Sequence, residues 1–207
     1  MIPVEHQQEE TRSTERRLAA ILSADAKGFA RLMGEDEAGT VRTLTAYRSI
    51  MADTIVRFRG RVVDSPGDNV LAEFASVVDA VMSAVEIQEV LRERNARLVA
   101  SRRLEFRIGV NLGDVLVEDE RVYGDAVNIA ARIEALADGG GICVSGTVYD
   151  QIAGKVALVW EPLGEQSVKN IIRRVRVYRL QLEGAPSRSV REIRVSSLDR
   201  PSIAVLP

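Results

Sequence analysis

Two aspartates, each close to a glycine and each at the edge of a short apolar segment, are the residues best suited to chemistry. Asp25 follows the apolar run 18–24 and precedes Gly28, whereas Asp68 follows Pro66 and Gly67. Two carboxylates a few ångströms apart can clamp two divalent cations about 4 Å from each other, an arrangement that promotes in-line attack at phosphorus. The pair therefore predicts a two-metal site for phosphate chemistry.

The stretch 65–69 predicts a tight turn between two apolar strands. Pro66 at the second position and Gly67 at the third indicate a type II turn, in which glycine supplies the positive φ. Such a turn would hold Asp68 at the mouth of a hairpin formed by residues 61–64 and 70–74. The alternative is that Asp68 only completes the turn and that Asp25 only caps a helix.

The elements that must position the two acids follow from hydrophobic periodicity. They are a strand at 18–24, a helix from 35 to 58, the hairpin 61–64 and 70–74, a helix from 77, a strand at 104–110, a turn at 113–114 with a return strand at 115–117, a helix at 126–136, a strand at 142–145, a short helix at 146–153, and two or three strands through Val177.

This order predicts an α+β fold of the ferredoxin-like βαββαβ type with extra C-terminal strands. Right-handed crossovers place the first strand between the third and fourth strands, antiparallel to both. Asp25 at the end of the first strand then lies beside Asp68 at the start of the third. Arg107, near the start of the fourth strand, is expected at the same edge.

The composition limits the class of protein. Among 207 residues, 28 Lys and Arg nearly balance 30 Asp and Glu, so no basic field for nucleic acid is expected. A single cysteine, Cys143, allows no disulfide within the chain, which suits the cytoplasm. The only histidine is His6, so histidine-based catalysis is not expected. No apolar run is long enough to span a membrane.

Three segments are expected along the chain. Residues 1–14 are polar and without periodicity, and indicate a flexible lead-in. Residues 15–182 contain all the periodic segments and form the predicted domain. Residues 183–207 are expected to be a linker and the start of a truncated C-terminal region.

The residues after Asp25 are suited to holding phosphate. Gly28 permits close approach of the backbone, and the N–H groups of Phe29 and Ala30 would open a short helix. The segment therefore predicts a phosphate cradle beside the first acid.

Several separated motifs, in order, resemble those of the class III nucleotidyl cyclases, the adenylate and guanylate cyclase homology domain, especially stand-alone bacterial members. The resemblance covers residues 17–180. Its most specific motif is YGDAVNIAAR at 123–132, in which Asn128 and Arg132 share one helix face. The other matching motifs are LSADAKGF at 22–29, GDN at 67–69, RIGVNLG at 107–113 and VKNI at 168–171.

The resemblance implies a two-metal mechanism. Asp25 and Asp68, with Ala26 in the same site, would bind two Mg²⁺ or Mn²⁺ ions. Asn128 would orient the ribose, and Arg132 would neutralise charge on the reacting α-phosphate.

The resemblance also implies where the phosphates lie and how the chains assemble. Lys169 and Arg107 would bind the terminal phosphates together with the cradle at 28–30, where Ala30 replaces the Ser or Thr common in the family. A chain that carries both the metal acids and the Asn/Arg pair resembles a homodimer with two sites across its interface.

Two positions depart from the adenine-selective pattern of the family. Asp64 stands where those relatives carry Lys, and Arg121 stands where they carry Asp or Thr. This inverted polarity suits the N–H groups and O6 of guanine, and it also suits uracil. Alternatively, Asp64 and Arg121 pair with each other across the dimer, and neither residue recognises the base.

The sequence thus predicts a cytoplasmic homodimeric cyclase that converts a nucleoside triphosphate, ATP by the family pattern, to the 3′,5′-cyclic monophosphate and pyrophosphate. A C-terminal effector or sensor domain is the expected partner in the full-length protein. The rival hypothesis is a non-catalytic regulatory module that binds nucleotide or only dimerises.

Overall fold

The computed structural model describes residues 14–119, 121–167 and 174–182. Residues 1–13 of the lead-in expected at 1–14 lie outside these ranges, as do Lys169 and the C-terminal region at 183–207. The elements in chain order are β1 (Thr14–Lys27), α1 (Phe29–Glu35), α2 (Glu37–Arg57), β2 (Gly60–Asp64), β3 (Asn69–Phe74), α3 (Val77–Ala96), a 3₁₀ turn (Ala100–Arg102), β4 (Glu105–Glu118), β5 (Arg121–Tyr123), α4 (Asp125–Glu134), β6 (Ile142–Ser145), α5 (Gly146–Ile152), β7 (Trp160–Gln166) and β8 (Val175–Leu180).

One mixed sheet organises the fold, with the strand order β2-β3-β1-β4-β6-β8-β7 and with β5 paired to β4. β1 lies between β3 and β4 and is antiparallel to both, as the crossover rule predicted. Asp25 is therefore opposite Asn69 on one side and opposite Arg107 on the other. The α+β ferredoxin-like fold with added C-terminal strands is confirmed.

The alternation of side chains along β1 decides which residues face which helices. Ala20, Leu22 and Ala24 are buried in the main core, which contains residues of α2, α3 and α5. Ala19 and Ile21 point the other way and pack with Ala126 and Ala130 of α4. By the same period of two, Ser23 and Asp25 lie on the α4 face of the sheet.

The prediction of a turn at Gly113 and Asp114 is wrong. β4 continues through both residues, which pair with Ala19 and Leu18 of β1. The unbroken β1 partner supplies a hydrogen-bond ladder, which overrides the local turn preference. Gly113 serves close packing instead, because a Cβ there would lie 3.0 Å from the Cβ of Ala126.

The helical region after β1 is also divided differently from expectation. The short helix expected at Phe29 is present as α1, and α2 then begins at Glu37. Asp36 caps α2, because its side chain accepts a hydrogen bond of 2.9 Å from the Gly39 N–H. In the described part of the chain no helix is both long and apolar enough to cross a bilayer.

Candidate active site

The carboxyl groups of Asp25 and Asp68 meet at the edge of the sheet where β1 ends and β3 begins. Burial raises the pKa of Asp68, and the charge of the neighbouring Asp25 raises it further. Two carboxylates held in this way repel each other, and a bound cation relieves that repulsion. An all-oxygen donor set of this kind fits Mg²⁺ or Mn²⁺.

The turn before Asp68 is fixed from outside by an arginine of α2. Arg48 donates one hydrogen bond of 3.0 Å to the carbonyl of Gly67 and another to the carbonyl of Ser65. Gly67 has the expected positive φ, 57°. However, the backbone hydrogen bond runs from the Asn69 N–H to the Pro66 carbonyl, at 3.0 Å.

The type II assignment of that turn is therefore wrong, because the turn is displaced by one residue. Gly67 occupies its first central position, where a positive φ belongs to the primed turn classes. The displacement follows from the start of β3 at Asn69, whose N–H closes the turn. Asp68 consequently sits as the last central residue, directly before the strand.

Arg107 of β4 lies between two acids on the α4 face of the sheet. Its Nη2 contacts a carboxylate oxygen of Asp25 and lies 3.5 Å from Oε1 of Glu134. Its Nε is buried and has no hydrogen-bond partner among the described residues. The guanidinium therefore neutralises part of the charge of the acids and retains donor capacity that these residues do not use.

Glu134, the last residue of α4, is a member of this cluster that the sequence analysis missed. Its side chain is nearly fully buried, and Ser23 donates a hydrogen bond of 2.9 Å to its Oε2. Burial, followed by the charge of Asp25, raises the pKa of Glu134 to about 7, although the Ser23 hydrogen bond opposes the shift. The only signal in the sequence was an acid within the apolar stretch that ends the helix.

Close packing of α4 on β4 brings Glu134 to this position. A Cβ at Gly109 would lie 2.3 Å from the carbonyl oxygen of Ala130 and 2.4 Å from the backbone nitrogen of Glu134. The glycine thus lets the helix backbone rest on the strand. Asn111 also ties the start of the helix to the strand, through a hydrogen bond of 3.1 Å to the carbonyl of Ala126.

The residues expected to cradle phosphate follow directly after β1. Gly28 has φ of 72°, and a Cβ there would meet nothing within 4 Å, so this turn is open. Phe29 and Ala30 begin α1, where backbone N–H groups have no acceptor inside the helix. The side chain of Ala26 is buried in the main core, so only its backbone can contribute to a metal site.

Asn128 and Arg132 occupy the opposite side of α4 from Glu134. Both side chains are exposed, and neither makes a hydrogen bond or ion pair with a described residue. They therefore do not join the cluster around Asp25 within one chain. Lys169 lies outside the described residues.

The charge of Asp64 acts on Arg121 within one chain, although no ion pair joins the two side chains in the described part of the structure. A hydrogen bond to Tyr123, and then the charges of Tyr123, Asp64 and Asp119, raise the pKa of the exposed Arg121. Asp64 ends β2 after a register shift against β3, and its Oδ1 accepts a hydrogen bond of 2.7 Å from the Ser65 N–H. Bulges of this kind redirect a side chain. An interaction between the two residues thus does not require a second chain.

The raised pKa of Glu134 predicts a pH-dependent stability. A carboxyl whose pKa is about 7 in the folded chain and 4.5 as a free group binds its proton more tightly when folded. Its stabilising contribution is present below pH 4.5 and is lost as the pH rises to 7. Relative to Glu134→Gln, the wild-type free energy of unfolding should fall by about 2–4 kcal/mol between pH 4.5 and 8. Urea unfolding of both proteins without metal, at several pH values, measures this difference; parallel pH profiles would contradict it.

Comparison with known proteins gives the class to which this fold belongs, and then the family. The solved adenylate/guanylate cyclase/hydrolase from Silicibacter pomeroyi is 40% identical, with a TM-score of 0.77 over 81% of this chain and 98% of that one. The adenylyl cyclase CyaB from P. aeruginosa is 25% identical, with a TM-score of 0.70 over 82% and 96%. The fold is thus that of a cyclase catalytic domain.

The chain belongs to the adenylate and guanylate cyclase catalytic domain family, whose model matches residues 12–182. A Rhizobium meliloti protein provisionally named adenylate cyclase 3 is 41% identical over 199 residues. That match covers 94% of this chain but 34% of the relative. The chain therefore spans about a third of the length of that relative.

Proposed function

We propose that this chain is the catalytic domain of a homodimeric nucleotidyl cyclase. The reaction is attack of the ribose 3′-hydroxyl oxygen on the α-phosphorus of a nucleoside triphosphate. This step forms the cyclic phosphodiester, and pyrophosphate leaves as the bond from the α-phosphorus to the bridging oxygen breaks. The observation that carries the proposal is the pair of adjoining carboxyl groups at Asp25 and Asp68, with Arg107 beside them.

Asp25 and Asp68, with the backbone at Ala26, are the residues that would hold two divalent cations. When bound, Mg²⁺ or Mn²⁺ lowers the pKa of the attacking hydroxyl and offsets the charge of the triphosphate. The mutual repulsion of the two carboxyl groups supports this assignment, since it favours a cation between them.

The remaining residues of the same chain bind and orient the triphosphate. Arg107 donates hydrogen bonds to phosphate oxygens and so neutralises charge on the leaving pyrophosphate. The N–H groups at Phe29 and Ala30, opened by Gly28, contact the phosphates from the end of β1. We assign Lys169 to the terminal phosphates on its motif alone.

Asn128 and Arg132 act on the substrate that is bound by the metal acids of the partner chain. Their exposure on α4 supports this role, because both side chains are free to reach a second chain. Asn128 orients the ribose, and Arg132 donates to the α-phosphate as its charge develops. A preorganised donor of this kind is worth about 3 kcal/mol in a transition state.

ATP is the first candidate substrate, since the relatives described above include adenylate cyclases. GTP is the second, because Asp64 can accept from the N–H groups of guanine while Arg121 donates to its O6. The electrostatic interaction of Asp64 with Arg121 in one chain supports a joint role at the base.

The test is an assay with ATP, GTP, UTP and CTP in turn, each with Mn²⁺, in which pyrophosphate and cyclic product are measured. We expect cyclic product from one purine nucleotide at least tenfold above the others, because one missing polar match costs more than 1.4 kcal/mol. Asp25→Ala serves as the inactive control. Equal signals from wild type and this control with every nucleotide would leave only the regulatory-module hypothesis.

The domain is proposed to work within a longer cytoplasmic protein that carries an effector or sensor region. The support is the length of the Rhizobium meliloti relative, of which the present match covers 34%. Cyclic nucleotide production by such a domain would serve intracellular signalling.

A further inference from the structure

We propose that Glu134 is a positioning residue for Arg107: it holds the guanidinium beside the metal acids when Asp25 is engaged by cations. The inference rests on the proposed function, because it concerns how the phosphate-binding arginine is kept in place. It assigns a task to a buried acid that the proposed mechanism does not otherwise use.

Arg107 has two carboxylate neighbours, and only one of them is proposed to bind metal. Asp25 is one of the two acids proposed to hold metal, and a quarter of its side chain is exposed. Glu134 has 6% of its side chain exposed, and its Oε1 lies 3.5 Å from Nη2 of the arginine. With a divalent cation at Asp25, the guanidinium would lose part of its attraction to that carboxylate and would be repelled by the cation. Glu134 is then the acid that retains Arg107.

Glu134 is itself fixed in place. Ser23, two residues before Asp25 on β1, donates to its Oε2 at 2.9 Å, and Asn69 donates to the same hydroxyl at 3.4 Å. The close contact of the helix backbone with Gly109 holds the main chain of Glu134 against β4. Among the described residues, Arg107 is the only cation within ion-pair distance of Glu134.

The burial of Glu134 makes its pairing with Arg107 important for the position of both side chains. A buried charge without its partner is strongly unfavourable, so each member of the pair restrains the other. Glu134 therefore restrains the Arg107 guanidinium on the α4 face of the sheet. A restrained Arg107 side chain loses little conformational entropy when it binds phosphate, whereas a mobile side chain loses more.

The experiment is a double-mutant cycle between Glu134→Gln and Arg107→Gln at pH 8, above the pKa of Glu134, so that its carboxylate is charged. The readouts are binding of inorganic pyrophosphate with Mn²⁺ by calorimetry and steady-state kinetics. We expect Glu134→Gln to weaken pyrophosphate binding about tenfold and to raise KM about tenfold, with kcat changed less than about threefold. In the Arg107→Gln chain, adding Glu134→Gln should change binding less than about twofold. Glu134→Asp, which keeps the charge, should retain more affinity than Glu134→Gln.

Two further variants keep the test decisive. Ser23→Ala leaves both charges in place and removes the hydroxyl that orients Glu134. We therefore expect it to weaken pyrophosphate binding less than Glu134→Gln does. In the Arg107→Gln chain, Ser23→Ala should have no effect on binding. Glu93→Gln alters an exposed glutamate of α3 and is the matched control. Thermal unfolding of every variant identifies any that fail to fold.

Independent effects of Glu134→Gln and Arg107→Gln on pyrophosphate binding, or no effect of Glu134→Gln, would overturn the proposal. The binding readout needs no turnover, so it separates this proposal from the proposed function. A wild-type chain that forms no cyclic product but shows the coupled loss of pyrophosphate binding would support the role of Glu134 and contradict cyclase activity.

Discussion

Asp25→Asn is expected to lower the rate of cyclic nucleotide formation by about 100-fold or more, the effect of removing roughly 3 kcal/mol or more of transition-state stabilisation. The change keeps the size of the side chain and removes its charge. The Asp25 carboxylate contacts Arg107 and raises the pKa of Asp68, so the substitution disturbs the centre of the proposed metal site.

The loss should come with little change in fold. Asp25 lies near the end of β1 and is partly exposed, and all but one of the buried residues of β1 precede it. Asp53→Asn is the matched control, because Asp53 is an exposed aspartate of α2. The measurements are cyclic product at saturating Mn²⁺ and thermal unfolding of the three proteins. A folded Asp25→Asn chain with more than a tenth of wild-type activity would contradict the assignment of Asp25 to the metal site.

The meeting of Asp25, Asp68 and Arg107 could be predicted because it depends on topology alone. Once the first strand is placed between the third and fourth, the ends of three strands coincide, and the residues at those ends must be neighbours. The register of β1 with β3 and β4 places Asp25 opposite Asn69 and Arg107. No detail of side-chain packing was needed for this prediction.

Glu134 could not be predicted in the same way, because its position depends on the packing of one helix. Period-two alternation sends Ser23 and Arg107 to the α4 face, but the sequence does not state how closely α4 approaches that face. Gly109 sets the approach, and its signal in the sequence is only a glycine in a strand. An acid near apolar residues at a helix end is usually exposed.

The missed continuation of β4 has a different cause. Gly and Asp at 113–114 are a local turn signal, and sequence reasoning weighs local signals first. The ladder with β1 extends to Thr14 opposite Glu118, and this long-range pairing determined the outcome. The short β5, which presents Arg121, was missed for the same reason, since it depends on pairing with the end of β4.

The two sides of α4 face different surroundings. Glu134 is turned inward to Arg107 of its own chain, whereas Asn128 and Arg132 are exposed and unpaired among the described residues. If Arg132 acts on the substrate of a partner chain, α4 contributes to two sites. Glu134 contacts Arg107 in the site of its own chain, and Arg132 donates to the α-phosphate in the site of the partner. This division leads to a prediction for mixed dimers.

Asp68→Ala and Arg132→Ala chains, each inactive alone, are expected to recover about a quarter of wild-type activity when equal amounts exchange subunits. About half of the dimers are then heterodimers, and one of the two sites in each heterodimer combines the intact acids of one chain with the intact Arg132 of the other. Cyclic product is measured after subunit exchange, and two different affinity tags on the chains establish the fraction of heterodimers.

A mixture of Asp25→Ala and Asp68→Ala chains is the matched control. Both acids of a site come from the same chain, so every site in these heterodimers lacks one acid and no activity should return. Recovery in this control would mean that the two acids act from different chains, against their adjacency in β1 and β3. Heterodimers of the Asp68→Ala and Arg132→Ala chains that remain inactive would place Arg132 in the site of its own chain, and the exposed side of α4 would then need another role.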